Sequence, residues 1–286
     1  MNKCCDLHTH SNYSDGTCSP AEIIAQAEQL GLSAVALTDH NTVAGLPAFL
    51  EAARNSSVEA VPGVEISCQY GDTELHLVGL YLPPENLDVV TVYLESLNRK
   101  KEESNRQLIQ NLNRAGYLLD YDEICQAHPE GTVNRAVIAA SMLEKGYVSS
   151  ISEAFQGVLS VKAGFYVPPQ RLTFFNAIAL LRYVEAVPVL AHPFLNLKTE
   201  QRLRTCLQEA VPKGLLGMET LYSSFTPEET ALARQLAAEF GLTESGGSDF
   251  HGQTKPHISL GRGTGTLAVP ASFADTLKNS IKNAVL

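Results

Sequence analysis

The stretch "DLHTHSNYSDG", residues 6–16, places two of the chain's 8 histidines two positions apart, directly after a short apolar run. If that run is a strand, His8 and His10 share a face, because strand side chains alternate with period two. Two imidazoles aimed into one space repel each other when protonated and leave polar nitrogens to satisfy when neutral. A divalent metal ion answers both problems. The same spacing recurs near the other end, where Asp249 and His251 sit in "GGSDFHG". His40 ends "AVALTDH", Glu65 ends "AVPGVE", His76 lies in "ELHLVGL" and His192 follows "VPVLA". Six of the 8 histidines therefore stand in or just after apolar strand-like runs, most at the C-terminal end. That is the end at which α/β barrels assemble their active sites. Taken singly, each has an ordinary structural reading. A histidine after a strand is hydrogen-bonded, Glu65 caps a helix or pairs with a lysine, and Asp249 makes a turn. The joint placement points to metal. In a closed barrel the first and last strands are neighbours, so the H-x-H and D-x-H pairs can meet. His128 and His257 lack a strand context, and His128 reads as a surface residue.

Short strands alternating with helices must carry these side chains. "KCCDLHTH", "SAVALTDH", "VEAVPGVEISC" and "TELHLVGLYL" read as strands. "SPAEIIAQAEQLG" reads as a helix capped by Ser19, opened by Pro20 and stopped by Gly31. "TVAGLPAFLEAARN" is a second helix. The alternation predicts a mostly parallel sheet with covering helices. After "YLPPEN" the pattern turns helical, beginning with a long, charged, heptad-like segment. It returns to strand–helix alternation near residue 161, through "AVPVLAHP", "GLLGMETLY", "TPEETALARQLAAEFG" and the strand end "LTESGGSDFHG". We therefore expect an α/β domain formed by residues 1–84 and 161–286, with an inserted helical cap at 85–160.

Composition narrows the function classes. With 21 basic and 31 acidic residues the net charge is −10, which argues against an extended nucleic-acid surface. A small phosphorylated substrate needs only a local positive site. At 44% hydrophobic and 18% charged residues, the chain can build a sizeable core. The 6 cysteines form no C-x-x-C pair, which removes zinc-ribbon and thioredoxin readings. Free thiols imply a reducing compartment, the cytoplasm. No signal-peptide core or membrane-length apolar run is apparent. The oligomeric state is left open.

The motifs "DLHTHSNYSDGTCSP", "ALTDHNTVAG", "VPGVEIS", "HLVGL", "VLAHP" and "GGSDFHG" resemble, in order, those of the PHP (polymerase and histidinol phosphatase) superfamily. The resemblance covers nearly the whole chain. It is closest to stand-alone bacterial phosphoesterases with a helical insertion, in which "YVPPQ" and "LGMETLYSSFTPEE" also find counterparts. It implies a distorted (β/α)7 barrel of TIM-like type and two to three divalent ions (manganese, iron or zinc). On that resemblance His8, His10, Glu65 and Asp249 hold a first metal. Glu65 bridges to a second, with His76 and His192, and Asp15, His40 and His251 hold a third. Asp15 departs from members that carry histidine there. Among substrate contacts, Arg135 in "GTVNRAVIAA" stands where relatives carry an arginine, suited to bidentate phosphate recognition. Val137 replaces a histidine frequent in the family, which puts the usual substrate set in question. Lys162, Tyr222, Ser223, Ser224 and His257 are further candidates.

The chemistry expected is phosphate-ester hydrolysis by attack of metal-bound hydroxide. Asp249 and His251 would assist proton transfer, Glu65 would bridge, and Asp39 is a candidate to orient an imidazole. Nucleoside 5′-monophosphates or 3′,5′-bisphosphates are the first substrates. Histidinol phosphate, a cyclic phosphodiester and a short 5′-phosphorylated RNA follow. A different class of reading is a metal-binding regulatory module that docks partners through the charged helix near residues 86–114.

Overall fold

The computed structural model describes residues 3–127, 133, 135–169 and 171–283; His128 and the Gln170 of "YVPPQ" lie outside the described residues. The chain divides into two compact units, Met1–Val92 with Leu172–Leu286, and Tyr93–Arg171.

The first unit is built on strands β1 (Cys4–Asp6), β2 (Ala34–Leu37), β3 (Glu59–Tyr70), β4 (Thr73–Leu80), β5 (Val187–Leu190), β6 (Gly217–Tyr222), β7 (Thr243–Gly247) and β8 (Val269–Pro270). They form one sheet in the order β7-β6-β5-β4-β3-β2-β1-β8. The segment after β1 then closes on β7. Leu7 N donates to Gly246 O (3.1 Å), Asp249 N to His8 O (2.9 Å) and His10 N to Phe250 O (2.9 Å). The result is a nearly closed eight-stranded barrel, and the H-x-H and D-x-H pairs meet across that seam. Gly247 makes the close approach feasible: a Cβ there would lie 2.4 Å from His8 Cβ.

The sheet is less parallel than the pattern suggests. β4 runs antiparallel to both β3 and β5, and β8 antiparallel to β1. Gly71 (φ 57°) and Asp72 join β3 directly to β4, and so short a link permits only antiparallel pairing. β8 has two residues, too few to carry a periodicity.

The helices of this unit include α1 (Pro20–Gln29) and α2 (Leu46–Ala53). In α1, Ser19 accepts from Glu22 N while the Glu22 side chain returns to Ser19 N, the reciprocal box that satisfies two orphan donors. The inward faces of the strands form an apolar core of Cys5, Leu7, Ala36, Val61, Val78, Val189 and their neighbours.

The second unit contains most of α3 (Leu87–Arg114), with α4 (Tyr121–Ala127), α5 (Arg135–Glu144) and α6 (Ile151–Gln156). Its own core joins Leu108, Leu112, Ile138, Met142, Leu159 and Tyr166. The unit extends past residue 160 because Phe165 and Tyr166 pack into that core. Back in the first unit follow α7 (Phe174–Tyr183), α8 (Pro193–Leu197), α9 (Glu200–Ala210), α10 (Pro227–Phe240) and α11 (Ser272–Asn283). Among the described residues no helix is long and apolar enough to cross a membrane.

Candidate metal centre

Barrel closure brings nine donor side chains into one cluster: His8, His10, His40, His192, Asp249 and His251 follow strands β1, β2, β5 and β7, Asp15 lies in the loop after β1, and Glu65 and His76 stand within β3 and β4. His8 Nε2 and His10 Nε2 lie 3.1 Å apart. Both are 3.2 Å from Glu65 Oε2, and His10 Nε2 is 3.2 Å from Asp249 Oδ1, with His8 Nε2 at 3.7 Å. A tetrahedral ion with bonds of about 2.0–2.1 Å sets its donors roughly 3.3–3.4 Å apart. These five separations, 3.1–3.7 Å, bracket that spacing. The other oxygen of Glu65, Oε1, lies 2.8 Å from His76 Nδ1 and 3.0 Å from His192 Nε2. Asp15 Oδ1 is 3.1 Å from His251 Nε2 and 3.9 Å from His10 Nδ1, and Asp15 Oδ2 is 3.8 Å from His40 Nε2.

The groupings overlap more than three separate sets would. His10 joins Asp15, His40 and His251; His8 joins Glu65 and His192; His40 joins Glu65 and His76. Each imidazole offers two nitrogens and Glu65 two oxygens, so neighbouring sets share residues.

The polar bookkeeping fits divalent ions. His10 Nδ1, His40 Nδ1, Glu65 Oε2, His192 Nδ1 and His251 Nε2 are buried without hydrogen-bond partners. Buried polar atoms are ordinarily paired. The electrostatics agree. Burial opposes charge on Glu65, yet the surrounding histidines, His40 first, hold its carboxyl well below the usual range. Burial likewise opposes charge on His8, but Glu65 and Glu219 hold its imidazole above the ordinary range. Burial dominates at His10 and depresses it.

Three backbone positions help place these groups. His192 (φ 24°) and Asp249 (φ 57°) occupy left-handed conformations that cost non-glycine residues energy, and Asn41 (φ 52°) does so beside His40. A network of side chains also sets the tautomers. His8 Nδ1–H donates to Glu219 Oε1 (2.7 Å), which turns Nε2 towards the cluster. Glu219 Oε2 accepts from His192 N (2.6 Å). His251 Nδ1–H donates to Asp249 O (2.8 Å), which turns Nε2 towards Asp15. Buried Asp6 accepts from Ser248 N (2.8 Å), Ser248 Oγ and Gly261 N (2.7 Å), anchoring the strand-end loop that carries Asp249. Asp39 accepts from Ser11 N, Ser11 Oγ and Ser14 Oγ, each at 2.7 Å. It holds the loop between His10 and Asp15 rather than orienting an imidazole.

The substrate candidates divide between the two units. Tyr222 reaches the cluster, its hydroxyl donating to Asp249 Oδ2 (2.7 Å). Ser223 Oγ is spent on Ser248 O (2.5 Å), while Ser224 and His257 are exposed. Arg135 and Lys162 belong to the helical unit. There the Arg135 guanidinium lies 4.2 Å from the Tyr166 ring centroid and 5.4 Å from that of Phe155, donating to Leu159 O (3.3 Å); Lys162 is exposed.

Two residues escaped the sequence reading. Glu219 is an acid within the otherwise apolar strand "GMETLY", and that placement was its signal. Lys255 donates to Asp249 Oδ2 (2.7 Å), and nothing local in "GQTKPH" marks it.

The PHP domain matches residues 6–167, more than half of the chain. The chain belongs to the PHP family. It is 34% identical over 267 residues to the 5′-3′ exoribonuclease Rnm of Escherichia coli, covering 90% of this chain and 88% of that protein. It is 28% identical over 248 residues to the 3′,5′-nucleoside bisphosphate phosphatase of Chromobacterium violaceum, covering 86% of each. Among solved structures it is similar to a protein from Bifidobacterium adolescentis proposed to be a metal-dependent phosphoesterase, with TM-score 0.74 and 25% identity over 97% of this chain and 96% of the other. This PHP protein is a metal-dependent phosphoesterase.

Proposed function

We propose that the chain hydrolyses ribonucleotide substrates bearing phosphate on both sides of one ribose: nucleoside 3′,5′-bisphosphates and the 5′-phosphorylated ends of short RNA. The observation that carries the reading is the two-sided Glu65, whose oxygens face different donor sets 2.8–3.2 Å away. Such a carboxylate suits a cluster of ions rather than a single one. The similarity to an exoribonuclease and to a bisphosphate phosphatase supports the substrate class. The two chemistries share one feature, a ribose phosphorylated at both 3′ and 5′ oxygens.

His8, His10, Glu65, Asp249, His76, His192, Asp15, His40 and His251 would hold two or three divalent ions. Mixed imidazole and carboxylate donors accept manganese, iron or zinc. When bound, such ions supply water of lowered pKa and neutralise charge on the phosphoryl group. The protein's own groups do the rest. His8, His10 and Glu65 have no exposed side-chain surface, whereas Asp15 is half exposed (52%) and His40 and His76 partly so. Substrate therefore enters on the Asp15–His40–His76 side. Asp249 is buried, but His10 and His8 hold it ionised, which suits it to holding a cation rather than to taking up a proton. Burial, with Asp249 next to it, pushes the Tyr222 phenol up and keeps it a neutral donor. The water oxygen bonds to phosphorus and gives its proton to solvent on the open side, the bond from phosphorus to the ribose oxygen breaks, and that oxygen takes a proton from the same solvent. The six free thiols support a cytoplasmic setting.

The test is a panel with manganese-loaded protein. It contains adenosine 3′,5′-bisphosphate, AMP, histidinol phosphate, a cyclic phosphodiester and a pentaribonucleotide with or without 5′-phosphate. Turnover of the bisphosphate and of the 5′-phosphorylated RNA is expected. Release from none of them refutes the reading.

A further inference from the structure

We propose that Lys255 is the phosphate-binding cation of this centre, contributed by the barrel itself. The inference rests on the phosphoesterase reading and adds to it a specific contact.

Three observations carry it. First, Lys255 Nζ lies 2.7 Å from Asp249 Oδ2, and the other oxygen of that carboxylate faces His10 Nε2 at 3.2 Å. The ammonium is thus one carboxylate group away from the donors that face one another. Second, Lys255 is only partly covered, with 35% of its side chain exposed, while Asp249 is 6% exposed. An ammonium has three donors. The bond to Asp249 uses one, and the exposure leaves room for a ligand oxygen on the others.

Third, the turn that carries Lys255 is pinned to the loop bearing Asp15. Gln253 N donates to Thr17 Oγ1 (2.9 Å), Thr254 Oγ1 donates to Asp15 O (2.9 Å), and Thr17 N donates to His251 O (3.1 Å). The lysine backbone follows directly on three contacts, at His251, Gln253 and Thr254. Such pre-organisation lowers the entropy lost when a ligand is bound.

The chemistry of the ligand follows. Asp249 Oδ2 already accepts from both Tyr222 and Lys255 at 2.7 Å, which draws its negative charge away from the open side. A dianionic phosphoryl group next to the cluster meets an ammonium there instead of a bare carboxylate. Its oxygen can take a charge-assisted hydrogen bond of about 2.7–2.9 Å from Nζ. The ligand class is a phosphate monoester or terminal phosphodiester, with inorganic phosphate as its simplest form.

The experiment compares wild type, Lys255→Met and Lys255→Arg, each manganese-loaded and checked for metal content. Inorganic phosphate binding is measured by calorimetry, and kinetics on adenosine 3′,5′-bisphosphate are measured alongside. A charge-assisted contact predicts that Lys255→Met weakens phosphate binding and raises KM by about 10- to 100-fold. Metal content should hold and kcat should change less, and Lys255→Arg should recover much of the loss. Unchanged phosphate affinity and KM in Lys255→Met overturn the proposal. So does a loss explained by lowered metal content, which would leave Lys255 as a positioning residue for Asp249. If wild type binds phosphate through Lys255 yet cleaves no ester, the site stands and the phosphoesterase reading fails.

Discussion

His8, His10 and Glu65 at the barrel's strand ends are as completely buried as Leu108, Leu112, Ile138 and Met142 in the core of the helical unit. In the helical unit, burial removes apolar surface from water and is itself the stabilising event. At the strand ends it removes charge and lone pairs from water, and five buried atoms there make no hydrogen bond. That arrangement costs free energy until a cation enters. The lesson is that equal burial carries opposite signs. One region stores stability and the other stores affinity for ions.

The comparison can be broken or sharpened by substitution. The largest expected effect is His8→Ala. It removes a donor from the first set and should lower turnover by several kcal/mol, on the order of a thousand-fold. The metal-free protein should still fold but with lowered thermal stability, because Glu65 and Glu219 lose the imidazole they face, as read by circular dichroism. A metal-free variant that unfolds would contradict the division of labour.

Next comes Leu112→Ala in the helical core. It should destabilise by about 2–5 kcal/mol in urea titration. Metal content measured by mass spectrometry should be unchanged.

Glu219→Gln keeps the shape but weakens the carboxylate's hold on His8 Nδ1. Metal affinity should fall by about 10- to 100-fold in competition with a chelator. An unchanged affinity would mean that Glu219 serves packing alone.

The fourth effect concerns pH. Burial opposes protonation of His76, but Glu65 and Glu74 lift its pKa to about 10 in the metal-free protein. His8 and His40 are also raised. Metals bind neutral imidazole. Metal uptake at pH 7 should therefore release protons, and apparent metal affinity should weaken as pH falls. Proton release is read with an indicator in weak buffer. Uptake without release would show that the carboxylates do not hold these protons.

The smallest effect belongs to Glu102→Ala. It removes the exposed helix pair with Arg106 at 2.9 Å and should change stability by no more than about 0.5 kcal/mol.

Much of this centre was legible in the sequence because its signals are local. The i, i+2 spacing marks His8 with His10 and Asp249 with His251 as pairs, although β1 ends at Asp6 and β7 at Gly247. Apolar runs before His40 and His192 mark strand ends, whereas Glu65 stands inside β3, which runs on to Tyr70. Capping residues mark the start of α1, and the box at Thr226 and Glu229 marks that of α10. Less legible were Glu219, Lys255 and the antiparallel course of β4. Glu219 acts on a histidine 211 positions away in the chain. Lys255 acts only because its turn is stitched to the Asp15 loop. Asp39 looked like an imidazole partner by adjacency to His40, yet tertiary packing turned it to Ser11 and Ser14.

By itself the amino-acid order determined which donors exist and which face of its own element each occupies, since periodicity is a property of neighbouring residues. The tertiary structure alone decided which nitrogen of each imidazole faces inward, which sets share a residue, and where Lys255 delivers its charge. Those outcomes depend on strand order and register across the closed seam, where Leu7 meets Gly246. No local pattern encodes the pairing of segments more than two hundred residues apart.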